Sequence, residues 1–418
     1  IGALLCLVHA LRGTDCHYEN LVACGEHPVL VDPEMLLQPT DVRLADLTAT
    51  EDLGVIAYRQ LSETVIGTLF LPFWQFGARG ARIDVGGVGH EPDEAHIPRQ
   101  PGIVDANTDR MRMVRVPYVP TEAARPPLLD GRVLSPRDYA DDVVDGFTAM
   151  YRYLLARRED LVGERGPLRA FESATIRYIV RGTSVYVGLL RQLRTPDALR
   201  DAVDASIEGE VLGQRFLPSA LWRRFWPMLG EELDALVRLD VPIFELPAGG
   251  VELPLPSRRP LGACFAASGV ERAVASLRAL DESSLAQQVY FIRGALLANA
   301  MTSAHVVTPS DTARVAAPPW RHGDILTGDD LVAEACRIAE GLRARAIRRA
   351  DGGATWIAFT YHPAAQRFRI EPIGFDLFDG TCGVALFLAA LTRVTGDVAF
   401  RSFALEALAP VRDEIRSG

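Results

Sequence analysis

The chain has 418 residues, 48% hydrophobic and 23% charged, with a formal net charge of −10. That length and composition describe a packed protein of two or more domains, and the acidic balance excludes a general nucleic-acid or anionic-membrane binder, which would carry basic stripes. No lysine occurs in it, so this chain holds no P-loop lysine, kinase strand lysine or Schiff-base lysine.

In chain order, "IGALLCLVHALRG" reads as an amphipathic helix with Ile1, Leu4, Leu5, Val8 and Leu11 on one face. It is too short and lacks the basic start of a signal peptide. Two β-type runs follow, Leu21–Ala23 and Pro28–Asp32. Residues 85–134 are rich in Gly, Pro, Asp and Arg and read as a long loop, functional or disordered. Ser135, Pro136 and Asp138 signal a helix start, with a buried stripe of Tyr139, Val143, Phe147, Met150 and Leu154. Residues 174–190 read as a strand, a turn at Gly182 and a helix. Further helices are expected near 229–239 and 282–298.

The segment 301–324 breaks the periodicity with three prolines and reads as an interdomain linker. A helix from about Asp329 to Arg349 comes next, then a Gly-rich turn feeding an apolar helix within 375–397. The six cysteines form no CxxC pair, which favours a reduced, cytoplasmic protein over a structural zinc site. No run is apolar and long enough for a membrane span. The start at Ile1 and the end at "EIRSG" lead us to expect a piece of a longer protein.

The chemistry concentrates in "GTDCHYENLVACGEHPVLVDPE" (13–34). Kinase-type phosphoryl transfer needs one carboxylate at the attacking hydroxyl, and an amide oxygen and a second carboxylate for magnesium. Asp15 and Asn20 stand five apart, and Asp32 follows twelve residues later, after the run "PVLV". Glu34 lies two beyond, on the same side of an extended segment. On spacing alone, phosphoryl transfer stands level with a polar turn whose Asp and Asn cap backbone groups. A zinc deaminase built on His17 and Glu19 is excluded, because no PCxxC follows.

The same stretch resembles the dehydratase motif of the type II lanthipeptide synthetases, the LanM-type enzymes. Further segments agree with that family in order: "NTDRM" (107–111), "DGFTAMYRYLL" (145–155), "RYIVRGTSVY" (177–186), "LDVPIF" (239–244) and "SLAQQVYFIRGAL" (284–296). The stretch 375–397 resembles the start of the family's LanC-like cyclase domain. The resemblance implies an α+β fold: a lipid-kinase-like large lobe with helical additions over 1–300, a linker at 301–323, and the first helices of an α/α-toroid cyclase domain, truncated, over 324–418. It also implies that the family's ATP-binding small lobe, with its phosphate-contacting lysine, lies upstream of this chain.

The activity it implies is phosphorylation of Ser and Thr in a precursor peptide that carries a leader, with ATP and Mg²⁺. Phosphate elimination to dehydroalanine or dehydrobutyrine follows, then thioether formation at a zinc site whose ligands lie outside this chain. It makes Asp15 the catalytic Asp, with His17 contacting the transferring phosphate or orienting Asp15. Asn20 and Asp32 match the magnesium ligands and Glu34 supports them; Arg177 and Thr183 match the elimination positions. Arginine suits that role, since it binds a departing phosphate dianion bidentately. Arg181 and Tyr186 are weaker candidates, Tyr186 reading more readily as core. The alternatives are another kinase-like phosphotransferase, which would lack Arg177 with Thr183, and a non-catalytic scaffold that binds the leader peptide.

Overall fold

The computed structural model describes residues 1–40, 52–77, 82–89, 99–117, 128–130, 132–217, 220–256, 259–300, 327–350 and 352–417. Within them the protein is mixed α and β, and every sheet is a two-stranded antiparallel ribbon. The segment 301–324, with His305 and His322, lies outside the described residues. Among the described residues no helix is long and apolar enough to cross a membrane.

Two buried cores occupy the part before residue 300. The first gathers the helix Gly2–Ala10, the segment 61–71, the helix Ala140–Ala156 and the helix Glu282–Ala300 around Leu5, Phe70, Phe147, Tyr151 and Ile292. The second gathers Ile176, Tyr186, Phe216, Phe225, Leu246 and Phe265. Capped helix starts mark the frame. Ser268 and Glu271 form a reciprocal capping box at Gly269–Arg278, and Thr327 and Asp330 do the same at Gly328–Arg345. A third core lies within 339–407.

One ribbon of the C-terminal part, Ile357–His362 paired with Arg367–Pro372, packs on the first core. Ile370 is buried in that core. Gly294 lets the ribbon approach: a Cβ there would stand 2.3 Å from the Phe359 ring. Arg82 donates to the Ala365 carbonyl, and Arg367 lies over the Trp74 ring at 4.7 Å.

Several expectations shift. The region read as a loop over 85–134 contains the ribbon Arg99–Val104 with Arg112–Pro117, and the short pair Leu128–Leu129 with Arg132–Val133. Pro101 and Gly102 disguise the first strand, and a two-stranded ribbon tolerates both at its free edge. Tyr139 is exposed, because Pro136–Tyr139 is a 3₁₀ turn and falls out of phase with the helix behind it. Val144 and Tyr151 join Val143, Phe147 and Leu154 in the buried stripe, while Met150 is half-buried. The helix expected to reach Arg349 ends at Arg345, where the strand Ile347–Arg348 takes over.

The first helix buries more than one stripe: Cys6, His9 and Ala10 are buried with Leu5 and Val8. Burial, and then the Arg12 charge, push the His9 imidazole down to about 3. The unfolded chain therefore binds a proton below about pH 6.5 that the folded protein refuses until about pH 3. His9 lets the fold keep its full stability above that window, and stability falls by about 1.4 kcal/mol per pH unit within it. His9→Gln should flatten this part of a denaturant midpoint-versus-pH curve; an unchanged slope would refute the assignment.

Candidate functional site

The stretch 13–38 crosses from one core to the other, with Cys16 packed in the first and Leu37 in the second. Backbone hydrogen bonds pin it along the way: Cys16 N–H to the Thr68 carbonyl at 2.9 Å, Thr14 N–H to Met35 at 3.2 Å and Leu37 N–H to Leu11 at 3.0 Å. Between these pins the chain turns at Asp15, which takes a left-handed φ of +62°. Asp is one of the few residues with a Cβ that visits this region readily.

The loop then folds on itself. Asn20 donates its side-chain amide to the Asp15 carbonyl at 2.9 Å. His17 Nδ1 accepts from the Glu19 N–H at 3.1 Å, while its Nε2 stands 3.7 Å from the Asp15 carboxylate and 3.5 Å from Asn20 Nδ2. The strands Leu21–Cys24 and His27–Leu30 form a tight hairpin, with Gly25 at φ +58° in its turn. Val31 N–H continues the pairing to the Asn20 carbonyl at 3.0 Å. The pairing sets Asp32 beside the loop that leads into the hairpin.

Electrostatics agree with that placement. Burial raises the Asp15 carboxyl above its ordinary range; His17 opposes the shift, and the Asp32 and Glu19 carboxylates add to it. Cys16, next to Asp15, is no nucleophile. Burial first, and then the Asp15 charge, push its thiol up to about 12.

Glu34 departs from the extended segment expected of it. It lies in a turn, with Leu36 N–H bonded to the Pro33 carbonyl at 3.1 Å. There its carboxylate accepts from Arg177 at 2.9 Å, across 143 residues of sequence. Arg177 ends the strand Thr175–Arg177, opposite Glu245 on the strand Glu245–Pro247. The fold thus brings Arg177 to the motif.

Thr183 opens the helix Thr183–Leu193 behind Gly182 and is exposed. No hydrogen bond joins it to the motif. Arg181 and Tyr186 turn away into the second core. Arg181 pairs with the fully buried Glu232 at 2.6 and 3.1 Å, and Tyr186 donates to Glu232 at 2.7 Å. Glu232 carries no local signal as the partner of both, because 46 residues or more separate it from either.

Among the described residues no three His, Cys, Asp or Glu side chains converge closely enough to chelate a metal by themselves. A hard cation bound partly through phosphate oxygens and water needs less, one or two carboxylates and an amide oxygen. Asp32 and Asn20 offer that donor set, since Asn20 commits its nitrogen to Asp15 and keeps its oxygen. A cavity of about 390 Å³ lies against the hairpin, lined by Tyr18, Leu21, Val22, Val88, Tyr139 and Val143 among others.

Residues 1–246 match a family described as "Domain of unknown function (DUF4135)". The chain is also similar to the lacticin 481/lactococcin biosynthesis protein LcnDR2 of Lactococcus lactis subsp. lactis, 24% identical over 205 residues. That stretch takes in 47% of this chain and 21% of the relative, so the chain spans well under two thirds of that protein's length. With more than half of its residues matched, the chain belongs to the DUF4135 family.

Proposed function

We propose that this chain carries the site at which a lanthipeptide synthetase phosphorylates Ser and Thr of a precursor peptide and then eliminates the phosphate. The observation that supports it best is the Arg177–Glu34 pair at 2.9 Å. It sets the arginine suited to a departing phosphate against the motif suited to phosphoryl transfer. The relative's role in lacticin 481/lactococcin biosynthesis points the same way.

In the first half-reaction, the peptide hydroxyl gives its proton to the Asp15 carboxylate, its oxygen bonds to the γ-phosphorus, and the bond to ADP breaks. His17, 3.7 Å from that carboxylate, orients it. Asn20 and Asp32 would hold the magnesium ion, which would supply charge neutralisation on the phosphates. The apolar cavity against Leu21 and Val22 takes the nucleotide base.

In the second half-reaction a base takes the Cα proton, the C–H electron pair forms the Cα=Cβ bond, and the Cβ–O bond breaks to release phosphate. Arg177 exchanges Glu34 for the phosphate dianion and holds it bidentately as it departs. Thr183 acts in this half, at the exposed first turn of its helix, an end whose dipole favours an anion. On the same reading, 1–300 is a lipid-kinase-like lobe and the helices after residue 327 begin an α/α-toroid cyclase domain with its own zinc.

The test is mass spectrometry of a precursor peptide incubated with the full-length protein, ATP and Mg²⁺. Wild type should remove one water per modified Ser or Thr. Arg177→Ala should slow elimination by about a hundredfold or more and leave the phosphopeptide standing. Stable phosphorylation by wild type without dehydration would replace this reading with a plain phosphotransferase, and no modification of any kind would leave a peptide-binding scaffold.

A further inference from the structure

We infer that Gln38 is a positioning residue for Arg177, fixing the ribbon that carries the guanidinium against the Asp15–Glu34 motif. The inference rests on the reading of Arg177 as the cation for the departing phosphate. Gln38 is buried, 8% exposed. Its side-chain amide donates to the Arg177 carbonyl at 2.9 Å and to the Glu34 carbonyl at 3.3 Å. One –NH₂ group therefore ties the backbone at both ends of the Arg177–Glu34 ion pair.

The chemistry of the site calls for an amide. Two carbonyl oxygens converge on one point, so the group between them must donate twice. An ammonium or guanidinium would do so but would place a second cation beside Arg177. A carboxylate would set acceptor against acceptor. A neutral amide alone meets both demands with no added charge.

The backbone around Gln38 is itself anchored. Its carbonyl accepts from Arg272 at 2.7 Å, and Arg272 reaches the Glu63 carboxylate at 3.2 Å. Arg12 holds the same carboxylate at 3.0 Å and the Glu63 carbonyl at 2.8 Å. Arg12 stands three residues before Asp15. A chain of contacts thus runs from the approach to Asp15, through Glu63, Arg272 and Gln38, to the strand of Arg177.

Ile176 anchors that strand in the second core, and Tyr178 N–H extends its pairing to the Phe244 carbonyl at 2.8 Å. The strand is one of only two in its ribbon, and Glu245–Pro247 occupies one edge. Gln38 grips the backbone at its end. The phosphorylation residues hang instead on the loop pinned to Thr68 and Met35. Loss of the Gln38 amide should move Arg177 and leave Asp15, Asn20 and Asp32 in place.

The experiment replaces Gln38 with Met, which keeps the volume and removes both donors, in the full-length protein. Phosphorylation and elimination are timed separately, the second on phosphopeptide supplied ready-made. Phosphorylation should change by less than about twofold, while elimination slows by between about ten- and a hundredfold as the guanidinium is misplaced. An equal loss in both steps, or in neither, overturns the inference.

Amide hydrogen exchange on the same variant needs no activity. Protection should fall in 175–177 and 245–246 and hold in 2–10. Unchanged protection in the ribbon overturns the inference even where wild type dehydrates peptide. Protection lost in the variant, while the wild type proves inactive on peptide, overturns only the reading of the reaction.

Discussion

Asp15→Asn should abolish phosphorylation of the precursor peptide, by between about a hundredfold and ten-thousandfold, while the protein melts within a degree or two of wild type. Asparagine fits the left-handed backbone at φ +62° as aspartate does. The Asp15 carbonyl still receives the Asn20 amide. What goes is the base. Burial, with Asp32 and Glu19, raises this carboxyl while His17 draws it down, and a carboxylate with a raised pKa takes a hydroxyl proton more readily than an ordinary one. The check is the initial rate of phosphopeptide formation. A variant that keeps a tenth of the wild-type rate would show that Asp15 is not the base and would move the chemistry elsewhere in the loop.

Glu232→Ala should cost about 3–5 kcal/mol of stability, because it leaves a buried guanidinium without its counter-charge. Glu232 has no exposed side-chain surface and Arg181 only 8%. Arg181 also lies over the Phe216 ring at 5.2 Å and donates to the Leu212 carbonyl, so it cannot swing out to water without breaking the second core. The double variant Arg181→Met with Glu232→Leu should recover most of the loss, since it removes both charges together and refills the space. Urea unfolding of the three proteins decides it. A single variant within about 1 kcal/mol of wild type would mean that water reaches the pair.

These two sites show where sequence reading succeeds and where it stops. The loop from Asp15 to Asp32 was legible because its parts are local. The D-x4-N spacing and the hairpin return are short-range patterns, and the pairing of Leu21 with Leu30 and of Val31 with Asn20 realises them. The strand, Gly182 turn and helix over 174–190 were legible for the same reason. Glu34 was not. Two-residue periodicity put it on the side of Asp32, but Pro33 opens a turn and the carboxylate goes to Arg177 instead. Arg177 belonged near the motif only by resemblance to a family, since nothing within its own strand indicates a partner 143 residues away. The same limit hid Glu232 behind Arg181 and Tyr186. The ribbon over 99–117 escaped because a solvated two-stranded structure needs no apolar alternation, and Pro101 with Gly102 removed what remained of it.

The ribbon Ile357–Pro372 bears on how this chain could be divided. Residues 301–326 invite a cut, as a proline-broken stretch between two sets of helices. Yet Ile370 sits in the core built by the first helices, Phe359 occupies the notch left by Gly294, and Arg367 covers Trp74. A gene split there would carry the ribbon off with the wrong half. One product would show solvent a bare patch around Ile66, Trp74 and Gly294, and the other a strand pair with nothing beneath it. The covalent seam and the seam of packing fall at different places, and a recombination that respects the protein has to follow the second.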